Sequence, residues 1–487
     1  MRVTELVIMI LYLAICVILA FVSQRKVANA KIGTDEYYVA GRNVGTVVNS
    51  IAIIAALGSG GSFMAGLGTI WMLGMPMIFW LTAASPAGFA LCTVLVARPL
   101  RNSGKYTVTE FLTERFDSYY VKIAVPVIFI IGLSIYLMAQ MKAGGLIASY
   151  ITGLPYEWGL VITCLVFIFY VSTGGMLAVT WTNLLQGGMM LLLTCVITVA
   201  GVLYLDQGVV ASLQEVTKAN MQLGSVGAVL PVVACIGSFV SWVSAPSIMP
   251  HLVMRIFTSK DVYSGRLSLN IGMLFYGLMM FASVVVILPH VPSLGAEVLS
   301  STAPDMWMLL IMSKFFGPFL VGVFTAGIMA AVMSTTDAIL LACSASFAYD
   351  IYGKVINKKA SQKQLLRAAT ISTWVIGIVV MLLSLNPHPF LIMLYTAAIG
   401  LISSSLLAPM ILGIWWKRAN TIGASVSMTV GAVLFMYLYI ALNMPYTTEI
   451  LVALPVAFLT MTLVSLFTSP PPPEVAQRME KYHVDAV

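Results

Sequence analysis

The chain has 487 residues, of which 60% are hydrophobic and 9% charged, where soluble domains run near 45–50% and about 25%. So few charges cannot clothe the several water-facing domains that this length would otherwise suggest. The formal charge of +7 is scattered through short loops, which points to membrane topology and away from a polyanionic partner such as nucleic acid.

With a mean hydropathy of +0.99 and apolar runs recurring from Val3 to Thr468, the solvent for most of the chain must be hydrocarbon. Windows of about 20 apolar residues predict thirteen spans, near 3–22, 46–70, 75–97, 121–149, 157–173, 183–205, 227–250, 268–290, 315–348, 366–385, 389–415, 421–442 and 447–468. The first is not a signal peptide: Arg25 and Lys26 follow its apolar stretch instead of preceding it. If the N-terminus lies outside, all of the 25 lysines and arginines except Arg2, Lys142, Lys218 and Lys314 fall in inside loops, as basic residues do. This predicts a multi-pass protein of the cell membrane with a cytoplasmic C-terminus. Residues 1–468 form one transmembrane unit. Residues 469–487 read as a polyproline exit, Pro470 to Pro473, and a short charged tail expected to stay disordered. All six cysteines lie inside apolar runs and read as small packing residues.

Polar groups at membrane depth are costly and so mark function. In the second span Leu57-Gly58-Ser59-Gly60-Gly61-Ser62 weakens the helix, as either close packing or the broken helix of a transporter site requires. In the fourth span Tyr136 and Gln140 stand one turn apart. Lys142 follows, and is expected to snorkel to the interface, with a role as anion counter-charge as the alternative. The seventh span holds Ser238, Ser241 and Ser244 on one face, beside Trp242 and Pro246, and predicts a second interruption. Two interrupted spans five apart suggest an inverted five-plus-five repeat. Of 18 acids only Asp337 reads as deep, beside Ser334, Thr335 and Thr336. That turn fits either a helix–helix contact or an oxygen cage for a hard cation. No HExxH, P-loop, GxSxG or paired-carboxylate pattern is present, so nothing suggests an enzyme.

The run Gly174-Gly175 through Thr180-Trp181-Thr182-Asn183 to Gln186-Gly187 resembles the signature of the sodium/solute symporter family. Ala331-Val332-Met333-Ser334-Thr335, continuing to Tyr349-Asp350-Ile351-Tyr352, is similar to that family's sodium helix. Pro250-His251-Leu252-Val253-Met254-Arg255 resembles its monocarboxylate and pantothenate subgroup. The resemblance implies an all-α, leucine-transporter-type fold with an extra N-terminal helix and repeats near 46–205 and 227–415. It implies Na+ as coupling ion, held by Ala55, Gly58, Ala331, Ser334 and Thr335. It implies a solute pocket lined by Ser59, Ser62, Tyr136, Gln140, Ser241 and Trp242. The signature usually has Asp where this chain has Asn183, so Asn183 and Asp337 together mark a second ion or proton site, or its loss.

The function expected is sodium-coupled uptake of a small organic solute, most simply a monocarboxylate such as acetate, pyruvate or pantothenate, by alternating access. The alternatives are proton coupling and a non-transporting receptor on the same fold.

Overall fold

In a computed structural model of the chain the described residues are 2–29, 39–386, 391–444 and 446–484. Lys31, His388 and the first residues of the eleventh expected span lie outside them. Backbone groups in hydrocarbon must bond within their own segment. Accordingly every described element is a helix, apart from one isolated bridge between Val44 and Ser259.

In chain order the main helices are α1 (Val3–Asn29), α2 (Thr46–Leu57), α3 (Gly66–Leu73), α4 (Pro76–Leu95), α5 (Ala97–Ser103), α6 (Val108–Arg115), α7 (Tyr119–Thr152), α8 (Tyr156–Leu203) and α9 (Val232–Ile248). They continue as α10 (Pro250–Thr258), α11 (Val262–Ile287), α12 (Trp307–Phe315), α13 (Pro318–Ala345), α14 (Gln362–Leu383), α15 (Leu391–Trp415), α16 (Thr421–Met436), α17 (Glu449–Phe467) and α18 (Pro473–His483). Among the described residues nine helices are long and apolar enough to cross a membrane, or eleven if each of two bent pairs is one span. Two shorter apolar helices, Val3–Leu19 and Tyr156–Ser172, stand where the first and fifth spans are expected. Although α8 is one helical run of 48 residues, the Tyr170 hydroxyl donates to Thr182 Oγ1 at 2.5 Å. Twelve residues of straight helix rise about 18 Å, so the chain turns back between them and α8 supplies two spans.

The second span breaks as its glycines predict. Gly58 leaves the helix at ψ 111°, and the following segment, Gly61–Leu73, departs at 59°. The seventh span does not break where its serines suggest. Its helix runs through Pro246 to Ile248, and only Met249, at ψ 117°, separates α9 from α10. A proline removes one i→i−4 bond, and here neighbouring helices hold the backbone straight. The approach of α4 is so close that a Cβ on Gly88 would lie 2.5 Å from Val243 O. The serines are spent on packing: Ser244 Oγ donates to Ser403 Oγ at 2.6 Å, and Ser238 pairs with Thr447 at 3.2 Å.

Burial sorts the helices. In α15 89% of the apolar window is buried and in the α13 span 83%, against 28% in α14, so α13 and α15 form the interior while α14 faces lipid. The C-terminal segment, expected to be disordered, is helical over Pro473–His483. Pro473 opens α18 at a first-turn position that needs no N–H, and Met479 is buried beneath it. Arg478 Nη1 and the Tyr482 hydroxyl reach Glu114 on α6 at 3.2 and 3.0 Å.

Candidate ion and solute site

The break after α2 and the middle of α13 meet in the interior. Ser334 Oγ donates to Ala55 O at 2.7 Å and to Ala331 O at 3.0 Å. Thr335 Oγ1 donates to Gly58 O at 3.0 Å and to Ala331 O at 3.2 Å. Five neutral oxygens from Ala55, Gly58, Ala331, Ser334 and Thr335 thus converge, with both hydroxyl side chains fully buried. A hard cation is bound by such oxygens, and it would take the place of the two hydroxyl hydrogens among the carbonyls. Glycine is required at the break, because a Cβ on Gly60 would fall 2.5 Å from Ala143 Cβ, and one on Gly58 2.6 Å from Met190 Sδ.

Immediately beyond lies a cavity of about 60 Å3 bordered by Ser59, Ser62, Trp242, Tyr276, Met280 and Tyr395. Ser62 Oγ is 3.0 Å from the Tyr276 hydroxyl. The amides freed by the break are held by side chains: Gly61 N donates to Tyr395 Oη at 2.9 Å and Gly60 N to Gln140 Oε1 at 3.2 Å. Trp242 Nε1 is buried with no hydrogen-bond partner among the described residues.

Of the residues expected to line the pocket, Ser59, Ser62 and Trp242 border it. Gln140 instead braces the break, and Tyr136 stands behind, its ring 4.6 Å from that of Tyr395. Ser241 opens onto a different cavity. Sequence reasoning missed Tyr276 and Tyr395. Their signal was a phenol amid an apolar run, which by itself does not say which side of the helix faces a cavity.

Asp337 and Asn183 are both fully buried but no hydrogen bond joins them among the described residues. In the amide orientation that satisfies both its ends, Asn183 donates to Gln186 Oε1 (3.0 Å) and Val179 O (3.3 Å) and accepts from Arg255 Nη2 at 2.6 Å. Asp337 lies toward Tyr170, Tyr12 and Cys16, with neither carboxyl oxygen in the five-residue cluster.

Lys142 does not snorkel. It is 6% exposed, and its Nζ lies 2.9 Å from Asp305 Oδ2, itself 2% exposed. Asp305 belongs to the Pro304–Met306 turn, so a carboxylate distant in sequence meets the ammonium inside the protein. Asp337 is not the only buried acid, since Glu5, Asp305, Asp350 and Glu449 are buried by protein as well, but Glu5 and Glu449 stand in the first turns of their helices and Asp305 in a turn.

A broken helix whose freed oxygens meet a hydroxyl pair on a buried helix, beside a small cavity, is the architecture of a cation-coupled membrane carrier. The chain belongs to the sodium:solute symporter family, whose sequence profile matches residues 37–431, and it couples solute transport to Na+. It is 27% identical over 447 residues to the osmoregulated proline transporter OpuE of Bacillus subtilis (strain 168), covering 90% of each chain. It is 28% identical over 427 residues to the sodium/pantothenate symporter of Escherichia coli (strain K12), covering 85% of this chain and 86% of that one. Among solved structures it resembles a Na+-coupled sialic acid symporter in a substrate-bound outward-open state, with TM-score 0.80 and 17% identity over 96% of this chain and 98% of the other. Mhp1, a nucleobase-cation-symport-1 family transporter, superposes with TM-score 0.52 and 15% identity, covering 92% and 99%. These likenesses establish the leucine-transporter-type inverted-repeat fold with its added first helix.

Proposed function

We propose that Ala55, Gly58, Ala331, Ser334 and Thr335 hold the coupling sodium, and that the adjoining cavity takes a small solute bearing one carboxylate. The observation that carries this reading is adjacency: Gly58 contributes its carbonyl to the oxygen cluster, and Ser59, the next residue, borders the cavity. Emptying either site therefore disturbs the other.

The chemistry of the cavity supports a carboxylate. The half-helix beyond the break starts at the lining residues Gly61 and Ser62 and lends its positive dipole end, although its first amides are already bonded. The sodium adds charge alongside, and the unpartnered Trp242 indole N–H is a donor awaiting an acceptor. No acidic residue among the described lining offers a partner for an ammonium, which favours a monocarboxylate anion of the acetate, pyruvate or pantothenate class over a zwitterion. The relatives named for proline and pantothenate both handle carboxylates. The cavity, at about 60 Å3, is tight for the larger members of this class, so loading them requires the helices to part, as alternating access demands.

At Asn183 the Arg255 guanidinium puts a fixed positive charge beside the position where a second cation would need a carboxylate. This supports one sodium per cycle, with Asp337 left as a buried acid facing α1 and α8. Uptake of labelled acetate, pyruvate, pantothenate and proline into proteoliposomes, with sodium or choline outside, tests the reading. Sodium-dependent uptake of a monocarboxylate is expected. Transport of proline alone, or of none without a pH gradient, would overturn it.

A further inference from the structure

The larger interior cavity is not the one beside the helix break. It lies at the face opposite α18, encloses about 360 Å3, and is bordered by Ser241, Thr396, Phe435, Tyr439, Tyr446 and Glu449. That volume is within the range of small-molecule sites, and six times that of the central cavity.

Two features point to a ligand. Glu449 is 4% exposed, lines the cavity and has no ion pair among the described residues, its carboxylate being met by its own backbone amide. A buried carboxylate without a counter-charge is costly, and the favourable field at the start of α17 returns only a fraction of that cost. Aromatic rings accompany it: Phe435 and Tyr439 stack at 6.1 Å, and the phenols of Tyr439 and Tyr446 lie within electrostatic reach of Glu449. Beside the cavity the backbone is strained at two residues. Asn443 and Thr447 have positive φ, 43° and 60°, a costly conformation for a β-branched residue. Thr447 is pinned in it by its hydroxyl, which donates to Ala234 O on α9 at 2.6 Å.

A carboxylate and aromatic side chains lining one cavity are the chemistry that recognises an organic ammonium, by charge and by cation–π attraction. We infer that this cavity is a second ligand site, separate from the sodium-linked pocket, that binds a small organic ammonium group on Glu449.

Purified protein should be titrated with tetramethylammonium chloride, with potassium chloride at equal ionic strength as control, and thermal stability recorded. Saturable stabilisation by tetramethylammonium, absent with potassium, is expected. Glu449→Gln should weaken it at least tenfold. Ala397→Phe, which puts a bulky ring at another lining position and leaves Glu449 in place, should abolish it and so decides the matter if Glu449→Gln fails to fold. Both variants should keep the stabilisation by sodium. Equal effects of the two salts, saturation of the Glu449-dependent effect by sodium alone, or titrations unchanged in Ala397→Phe would each overturn the inference.

Discussion

Ser334 and Thr335 each place one fully buried hydroxyl in the oxygen cluster proposed to hold sodium. Ser334→Ala or Thr335→Ala is therefore expected to raise the sodium half-saturation of uptake at least tenfold, at a stability cost of only about 1 kcal/mol for the lost hydrogen bond. Sodium titration of initial rates checks this, and unchanged half-saturation in both variants would remove these hydroxyls from the site. The Lys142–Asp305 pair behaves differently, because a buried ion pair is costly to break and cheap to replace. Asp305→Asn should destabilise by about 3–5 kcal/mol, while Lys142→Met combined with Asp305→Leu should recover most of that loss, as a double-mutant cycle in thermal unfolding would show. At the surface, Asp261 caps α11 by accepting from Ser264 N at 2.6 Å, and that amide pulls its carboxyl below the usual range. A depressed carboxyl contributes stability above its ordinary value and loses it as pH falls through the folded one. Asp261→Ala should cost about 1 kcal/mol at pH 7, Asp261→Asn much less, and the gap between wild type and Ala should close only in strong acid.

Individual elements are held by close approach in one place and by charge in another. On α3, Gly68 lies against the Pro304–Met306 turn so closely that a Cβ would stand 2.5 Å from Pro304 O. Backbone cannot yield as a flexible side chain does, so Gly68→Ala should cost about 1–3 kcal/mol. It should also loosen the turn that carries Asp305, which faster labelling of a cysteine placed at Met306 would reveal. At the other end α18 straps α5 to α6 and to the end of α15. Arg98 and Asn102 donate to its last carbonyls, Arg478 and Tyr482 reach Glu114, and His483 Nε2 lies 3.1 Å from Ile414 O. Arg115, nearby, donates to Gly413 O and Ala419 O at 2.7 and 2.8 Å, and its burial pulls the guanidinium down to about 10. Removing residues 470–487 is expected to lower the thermal midpoint and leave the sodium half-saturation unchanged, since no residue of α18 touches the oxygen cluster.

For the molecule as a whole the decisive quantity is the charge moved per cycle. One sodium with one monocarboxylate moves none, so the membrane potential, worth about 2.3 kcal/mol per charge per 100 mV, cannot drive it. In proteoliposomes with a sodium gradient, an inside-negative potassium diffusion potential should leave the initial rate of carboxylate uptake nearly unchanged. A several-fold acceleration would mean that a second cation enters, or that the solute is a zwitterion. The two are separated by repeating the measurement with Asp337→Asn, which removes the buried acid and leaves the solute's charge alone.

Composition and periodicity determined the all-helical membrane fold and the positions of its spans, because hydrocarbon allows few alternatives for the backbone. The glycines at Gly58, Gly60 and Gly61 announced the broken helix, and Ser334 and Thr335 stood out because hydroxyls gathered beside an acid are rare at that depth. Other matters depended on partners distant in sequence. Whether Pro246 breaks its helix was decided by the support of α4 and the packing of the serines. Where Lys142 finds its counter-charge depended on Asp305, 163 residues away. Which face of α11 and α15 turns Tyr276 and Tyr395 to the cavity, and whether the tail folds, also required the assembled bundle. Local sequence fixes what a segment costs to expose or unwind, and only tertiary packing supplies the atom that meets each polar group left over.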